Sequence, residues 1–268
     1  MEKPKLYILK IGGNVIDDPD KLDSFLKSFA LVDEAKILVH GGGKIASTIS
    51  KELGIVPNML DGRRITDAET LKVVTMVYGG LINKNIVAKL QSQGCNAIGL
   101  TGTDANMLPA QKRPVKDIDY GFVGDIEEDK INPITLSLFL ENGLCLVIAP
   151  LTHDGQGNML NTNADTIASV LAVALSGNYD VSLIYCFEKA GVLKDVNDDS
   201  SLIETISALE YEVLKKDGII NEGMIPKLDN AFEALKKGVK SVQIIHADAI
   251  KEFNNHSKPR GTELYLTI

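Results

Sequence analysis

Short apolar runs alternate along the chain with longer stretches in which apolar residues recur at helical spacing. The runs have the length of buried strands, and the periodic stretches predict helices. The predicted strands are Leu6–Ile11, Lys36–His40, Cys95–Leu100, Leu144–Ala149, Val181–Cys186, Ser241–His246 and Leu264–Ile268. The predicted helices are Pro19–Ala30, Lys44–Leu53, Asp67–Leu90, Asn132–Glu141, Thr166–Leu175, Ser207–Asp217 and Met224–Lys237, with hairpins over Ile55–Thr66 and Gln111–Val123. Alternation of this kind indicates an α/β protein with a largely parallel central sheet.

The composition is that of a globular protein. Of the 268 residues, 44% are hydrophobic, enough to bury the core of one large domain or of two closely joined lobes. The best candidate boundary is Ser176-Gly177-Asn178, which gives lobes 1–175 and 176–268. The formal net charge of −8 gives no indication of a nucleic-acid or membrane-surface partner. An anionic ligand would therefore need a local group of cations.

Cysteine usage and the N-terminus indicate the compartment. Cys95, Cys145 and Cys186 are far apart in apolar stretches, without metal-ligand spacing, so we expect free buried thiols. The N-terminus lacks the apolar core of a signal peptide, and no apolar run approaches the length of a membrane span. We therefore expect a cytoplasmic protein without a membrane partner.

A lysine within the first predicted strand is the first candidate for a functional group. Lys10 lies in an apolar run that ends in Gly12 and Gly13. Lysine is rarely buried without a partner, and glycines let backbone amides approach a ligand closely. Amides together with an ammonium group make an anion site. The alternative is an edge strand whose lysine extends to solvent.

A second glycine loop, Gly41-Gly42-Gly43, joins a predicted strand to a predicted helix. That arrangement brings a helix N-terminus to an anion. The loop is not a P-loop, because Lys44 is followed by Ile45 rather than by Ser or Thr. On its position the loop is a second candidate for binding phosphate.

Two further charged residues open helices. Lys227 falls in the first turn of a predicted helix, where its charge opposes the helix dipole, and a surface lysine is the alternative. Asp165 opens the helix that ends near Leu175. Together with Lys10 and the glycine loops, they describe a phosphoryl-transfer site, because that reaction needs mainly positioning and positive charge.

Other polar residues are less specific. Arg63 and Arg64 are either solvated or form a fork that clamps a carboxylate. The histidines form no metal pattern, so we predict no protein metal site, and His40 is interpreted as structural.

Seven short segments, taken in order and spacing, resemble the amino-acid kinase family and, within it, the N-acetylglutamate kinases of arginine biosynthesis. The segments are Lys10-Ile11-Gly12-Gly13, His40-Gly41-Gly42-Gly43, Gly62-Arg63-Arg64-Ile65-Thr66, Asn83-Lys84, Asn161-Thr162-Asn163-Ala164-Asp165, Gly223-Met224-Ile225-Pro226-Lys227 and Gly261-Thr262. The resemblance runs along nearly the whole chain. It implies a three-layer α/β/α sandwich with a mainly parallel open sheet, as in carbamate kinases. The first lobe would bind the acyl-amino acid and dimerise, and the second would bind the nucleotide.

The resemblance also implies catalytic roles. Lys10 and Lys227 would flank the transferring phosphoryl group, and Asp165 would hold the two ammonium groups in place. The backbone amides of Gly12 and Gly13 would donate to phosphoryl oxygens.

The acyl-amino-acid site is implied in the same way. The Gly43 amide would donate to a phosphoryl oxygen, and Gly42 and Gly43 would both touch the acyl-amino acid. Arg64 and Asn161 would bind its carboxylates.

The implied reaction is attack of a carboxylate on the γ-phosphate of ATP, giving an acyl phosphate. Mg²⁺ would bridge the phosphates and be held mainly by them. The nucleophile is already ionised at neutral pH, so no general base is needed. N-acetyl-L-glutamate is the favoured acceptor. The alternatives are N-succinylglutamate, glutamate, aspartate or carbamate, or a non-catalytic nucleotide-binding protein on the same fold.

Two departures from the family pattern matter. Many members carry an Asp-Val-x-Gly segment where this chain has Cys186–Val192, so no nucleotide contact is carried over there. In the family that the sequence resembles, arginine-inhibited members form hexamers joined by an added N-terminal helix. Little sequence precedes the first predicted strand of this chain. The resemblance therefore implies an arginine-insensitive homodimer, joined through the helix predicted near residues 67–90, whose apolar face includes Val73, Val74, Val77 and Leu81.

Overall fold

The structure is a computed structural model and describes residues 2–60, 63–220, 223–255, 257 and 259–266. Its strands are β1 (Lys5–Ile11), β2 (Ala35–His40), β3 (Asn58–Leu60), β4 (Arg63–Ile65), β5 (Ala97–Leu100), β6 (Ala110–Lys112), β7 (Gly124–Ile126), β8 (Cys145–Ile148), β9 (Leu151–His153), β10 (Met159–Asn161), β11 (Asp180–Phe187), β12 (Thr205–Ser207), β13 (Ser241–His246) and β14 (Gly261–Tyr265). Its α-helices are α1 (Gly13–Ile16), α2 (Pro19–Ala30), α3 (Gly43–Glu52), α4 (Ala68–Val74), α5 (Asn83–Ser92), α6 (Pro133–Glu141), α7 (Ala164–Leu175), α8 (Ala208–Lys216) and α9 (Ile225–Lys236), with a π-helix at Thr75–Ile82. Shorter 3-10 segments are Asp104–Asn106, Glu128–Lys130 and Asp199–Ser201, and a longer one is Ala247–Asn255.

Helix α2 shows how local sequence sets the elements. The Asp18 side chain caps its N-terminus by accepting hydrogen bonds from the amides of Asp20 and Lys21. Pro19 occupies the first turn, where its missing N–H costs nothing. The apolar residues that recur at helical spacing, Leu22, Phe25, Leu26 and Phe29, are all buried.

The chain forms two compact units. The first contains the chain up to Ile37 and from Ala168 onward, and the second is Leu38–Ile167. This division differs from the predicted boundary after residue 175, because the N-terminal strand groups with the C-terminal part. The reason is that β1 pairs in parallel with β11 along its length, from Lys5 opposite Asp180 to Ile11 opposite Cys186. The division of ligands between two lobes stays a prediction.

The first unit carries strands in the order β12-β14-β13-β11-β1. Strands β1, β11 and β13 are parallel, and β14 returns antiparallel to β13. The carboxyl ends of β1 and β11 therefore lie side by side, with Lys10 opposite Tyr185. The last strand begins earlier than predicted, at Gly261, while Thr267 and Ile268 lie outside the described residues.

The second unit carries the order β2-β8-β5, with β5 parallel to β8, and includes β2 from Leu38 onward. Three antiparallel hairpins, β3–β4, β6–β7 and β9–β10, complete it. The first two confirm the predicted hairpins, although β6 and β7 lie at the ends of the second predicted range. Residues 61 and 62, which connect β3 to β4, lie outside the described residues.

The long helix predicted over Asp67–Leu90 is a continuous helical run from Ala68 to Ser92 whose middle is the π-helix. Asp67 caps its start by accepting from the Thr70 amide at 2.8 Å. Of the apolar face proposed for subunit contact, Val73, Val74 and Val77 are buried within the chain itself, whereas Leu81 is 47% exposed.

Within the described residues, the main strands of each unit are mainly parallel and are accompanied by helices, which confirms the predicted α/β class. The cysteines Cys95, Cys145 and Cys186 are free and buried, also as predicted. None of the described helices combines the length and the apolar character that crossing a membrane requires.

Candidate active site

A cavity of about 740 Å³ opens in the first unit at the carboxyl ends of β1 and β11. Its lining includes Lys10, Gly12, Gly13 and Lys227, together with residues of the chain that follows β11. The structure thus brings four of the predicted phosphoryl-binding residues to one space. The size is that of a small-molecule site, and the position is where open α/β sheets bind ligands.

Lys10 lies within β1 and is only 7% exposed. Its Nζ is 5.7 Å from the centroid of the Phe187 ring, at the end of β11. A Cβ atom on Gly12 would lie 3.6 Å from that same Nζ. The absence of a side chain at Gly12 therefore leaves room for a ligand beside the ammonium group.

Lys227 lies in the first turn of α9. Its Nζ donates to the Gly223 carbonyl oxygen at 3.3 Å and is also 5.7 Å from the Phe187 centroid. The start of α9 is fixed by Tyr211, whose hydroxyl donates to the Ile225 carbonyl oxygen at 3.2 Å and to Asp229 Oδ1 at 2.7 Å. Residues 221 and 222, which precede Gly223, lie outside the described residues.

The segment after β11, for which no contacts were predicted, lines the cavity. Its backbone is anchored by Thr262, whose Oγ1 accepts from the Val192 amide at 2.8 Å and donates to the Ile203 carbonyl oxygen at 2.6 Å. A Cβ on Gly191 would lie 2.5 Å from Thr262 Oγ1. This contact gives a structural reason for the Gly261-Thr262 signature. Phe187 is the residue that sequence reasoning missed, and it lies at the carboxyl end of β11, where open α/β sheets bind ligands.

A second group of predicted residues lies in the second unit, around the N-terminus of α3. Gly42 has φ +145°, a conformation that L-residues rarely adopt. A Cβ there would also lie 2.2 Å from Ile82 Cδ1. Gly42 provides no side-chain cap for α3, and the first amides of a helix are donors that an anion can satisfy.

Arg64 fixes this glycine loop and is 7% exposed. Its Nη2 donates to the Gly43 carbonyl oxygen and to Ser47 Oγ, both at 2.7 Å. Its Nη1 is buried and, within the described part of the chain, has no hydrogen-bond partner. Nη2 therefore holds the glycine loop, and Nη1 is a donor that a ligand could satisfy.

Asn161, at the end of β10, joins the same group. Its Nδ2 donates to Thr66 Oγ1 at 3.0 Å, and Thr66 Oγ1 donates to the Arg64 carbonyl oxygen at 3.3 Å. The side chain of Asn161 is thus connected through Thr66 to the backbone of Arg64.

Asp165 is the second residue of α7 and is 8% exposed. Asn163 caps this helix, because its Oδ1 accepts from the amides of Asp165 and Thr166 at 2.8 and 3.0 Å. The cap fixes the start of the helix, and Asp165 lies in its first turn.

His40 holds the glycine loop through a hydrogen bond to the Gly41 carbonyl oxygen, which confirms its structural interpretation. Its side chain is fully buried, with Nδ1 2.8 Å from the Gly41 carbonyl oxygen and Nε2 3.2 Å from Asn83 Nδ2. With Nδ1 protonated, Nε2 accepts the Asn83 hydrogen bond. Burial lowers the pKa of His40 to about 4, so the imidazole is neutral. Asn83 also donates to the Val147 carbonyl oxygen at 2.9 Å, which ties the loop to β8.

No set of three or more His, Cys, Asp or Glu side chains within residues 2–60, 63–220, 223–255, 257 and 259–266 could hold a metal ion. His256 lies outside these ranges.

Comparison with known proteins identifies the family of this chain. The family model described as the amino acid kinase family matches residues 5–246. A protein of Cytophaga hutchinsonii named acetylglutamate kinase is 63% identical over 97% of this chain and 98% of its own length.

Solved structures agree on the fold. N-acetylglutamate synthase from Neisseria gonorrhoeae, complexed with coenzyme A and N-acetyl-glutamate, aligns with a TM-score of 0.83 at 22% identity. The alignment covers 100% of this chain, which spans 61% of that protein's length. Giardia carbamate kinase aligns with a TM-score of 0.67 at 15% identity over 99% of both chains. Both likenesses concern the fold, and they match the predicted carbamate-kinase-like architecture.

Proposed function

The chain belongs to the amino acid kinase family, and we propose on that basis that it phosphorylates the side-chain carboxylate of N-acetyl-L-glutamate with ATP, a step of arginine biosynthesis. The observation that carries the proposal is the 63% identity, over nearly the full length, to a protein named acetylglutamate kinase. The two groups of site residues described above supply the chemistry that this reaction needs.

The cavity of the first unit is the site we assign to the triphosphate of ATP. Lys10 and Lys227 both border it and bring two positive charges to the transferring phosphoryl group. Charge that is already in place stabilises a transition state without reorganisation. The amides of Gly12 and Gly13 donate to phosphoryl oxygens.

The second unit binds the acyl-amino acid. Arg64 Nη1, buried and without a partner among the described residues, donates to one substrate carboxylate. Asn161 Nδ2 donates one proton to Thr66 Oγ1 and its second proton to a substrate carboxylate. Gly42 and Gly43 both contact the substrate, and the Gly43 amide also donates to a phosphoryl oxygen.

In the reaction, an oxygen of the ionised side-chain carboxylate attacks the γ-phosphorus. The P–O bond to ADP breaks, and ADP leaves with the bonding electron pair, so no proton is transferred. This accounts for a site without a general base. The role predicted for Asp165, orienting the lysines, is retained as part of the proposal.

Mg²⁺ fits this site only as a partner of the nucleotide. The described residues contain no carboxylate and histidine cluster that would hold it, and Mg²⁺ commonly binds through substrate phosphates. When bound there, the ion neutralises charge on the phosphates. The protein residues named above orient those phosphates and stabilise the charge that remains.

We also propose that the enzyme is a cytoplasmic homodimer. On the helical run Ala68–Ser92, Met76 and Leu81 are 57% and 47% exposed, an apolar surface that a second copy would cover. Light scattering should give twice the chain mass. Met76→Lys combined with Leu81→Lys should shift it towards the monomer, and an unchanged dimer would exclude this surface.

The test of the function is an ATP-dependent hydroxamate assay, in which hydroxylamine traps an acyl phosphate. The acceptors are N-acetylglutamate, N-succinylglutamate, glutamate, aspartate and carbamate. We expect the highest kcat/KM with N-acetylglutamate. A higher kcat/KM with another acid would make that acid the substrate. The absence of product with every acceptor would contradict the kinase activity.

A further inference from the structure

Tyr78 lies in the middle of the π-helix Thr75–Ile82 and is 5% exposed. π-Helical turns are rare and frequently occur at functional sites. This one packs against the glycine loop, because a Cβ on Gly42 would lie 2.2 Å from Ile82 Cδ1 and 3.3 Å from Tyr78 Cδ1. The unusual turn therefore presents the aromatic ring to the start of α3.

The hydroxyl of Tyr78 reaches the same space as Arg64. A Cβ on Gly43 would lie 4.0 Å from Tyr78 Oη and 3.9 Å from Arg64 Nη2. The phenol and the guanidinium thus border the open side of Gly43 together. Both Gly43 and Arg64 already belong to the group of residues assigned to the acyl-amino acid.

Hydrogen-bond donors outnumber acceptors around this space among the described residues. Arginine carries donors only, so the proton of the neighbouring Tyr78 hydroxyl cannot be donated to Arg64 and is available to another acceptor. Arg64 Nη1 is a second buried donor that has no partner among the described residues. Burial raises the pKa of Tyr78 and the neighbouring Arg64 charge opposes that rise, so the phenol is protonated at neutral pH. A carboxylate is the ligand that satisfies both donors.

We propose that Tyr78 is a substrate-binding residue whose hydroxyl donates a hydrogen bond to the acyl-amino-acid carboxylate bound by Arg64. The inference rests on the proposed function, since it adds a contact to the same acceptor site. It distinguishes Tyr78 from a residue that only packs its ring against Gly42.

The test separates the hydroxyl from the ring. Tyr78→Phe retains the ring and removes the donor, and a lost hydrogen bond to a charged group corresponds to roughly a 10- to 100-fold change in binding. We expect KM for N-acetylglutamate to rise by about that factor, with KM for ATP and kcat changed less than about twofold. Calorimetric titration with N-acetylglutamate alone should show the same loss of affinity.

Tyr179→Phe is the matched control, because it removes a phenol oxygen from a ring that is also 5% exposed but lies in the first unit. It should leave KM for N-acetylglutamate unchanged. An unchanged KM and affinity in Tyr78→Phe would overturn the proposal, as would an equal rise in KM for both substrates. If the unmodified enzyme phosphorylates no acylglutamate, the proposed function itself fails. If the unmodified enzyme is active and Tyr78→Phe has the same KM and affinity, only the proposed Tyr78 contact is rejected.

Discussion

Lys10 and Lys227, from opposite ends of the chain, each place their Nζ atom 5.7 Å from the centroid of one aromatic ring, that of Phe187. Two ammonium groups near one another repel, and the negative face of an aromatic ring attracts each of them. Phe187 therefore lowers the energy of holding both charges at the cavity before the phosphates arrive.

Phe187→Leu should reduce kcat by about tenfold, because it removes two cation–π contacts from the lysines while keeping an apolar side chain. Steady-state kinetics would measure this. The control is Phe253→Leu, which removes a ring 5.1 Å from Tyr7 in the same unit. A kcat for Phe187→Leu equal to that of the control would show that the ring does not position the lysines.

Lys10→Met and Lys227→Met should each lower kcat by about 100- to 1,000-fold, because each removes charge that stabilises the transition state. KM for N-acetylglutamate should change much less. Lys236→Met is the control on the same helix as Lys227, since Lys236 forms an exposed pair with Glu233. Near-normal kcat in either site variant would remove that lysine from the mechanism.

Arg64→Lys should raise KM for the acyl-amino acid, because lysine cannot hold the Gly43 carbonyl oxygen and present a second donor in one plane. The expected rise is about tenfold or more. The neighbouring Arg63 is exposed, so Arg63→Lys supplies the comparison and should leave KM unchanged. Equal KM values for the two variants would argue against a special role for Arg64.

The pH dependence of stability should report His40. Its pKa is about 4 in the folded chain and near 6.5 when exposed, so protonation favours the unfolded state. The stabilisation is complete above pH 6.5 and is lost as the pH falls towards 4. Between about pH 7 and pH 5 the unmodified protein should lose roughly 2 kcal/mol more than His40→Gln, measured by denaturant unfolding. Parallel curves for the two proteins would mean that His40 is not held neutral.

The sequence predicted the parallel-sheet elements well, because buried strands such as β1 and amphipathic helices such as α2 carry strong periodic signals. It did not predict that β1 joins the C-terminal part, since pairing with β11 depends on contacts far apart in sequence. The π-helix was also missed, because the predicted helix ran through Thr75–Ile82 without a break.

The site was predicted unevenly for a similar reason. Lys10 and the glycines stood out because charged or flexible residues interrupt apolar runs. Phe187 and Tyr78 are apolar or aromatic residues within regular elements, and nothing local separates them from core residues. Only the fold brings one ring to two lysines and the other to Arg64.

The most direct test of the central claim is phosphorus NMR of the purified protein with ATP, Mg²⁺ and N-acetyl-L-glutamate. We predict an acyl-phosphate resonance that grows together with ADP and is absent for Lys10→Met over the same time. Formation of ADP without an acyl phosphate, or an equal acyl-phosphate signal from Lys10→Met, would contradict phosphoryl transfer to the carboxylate at this site.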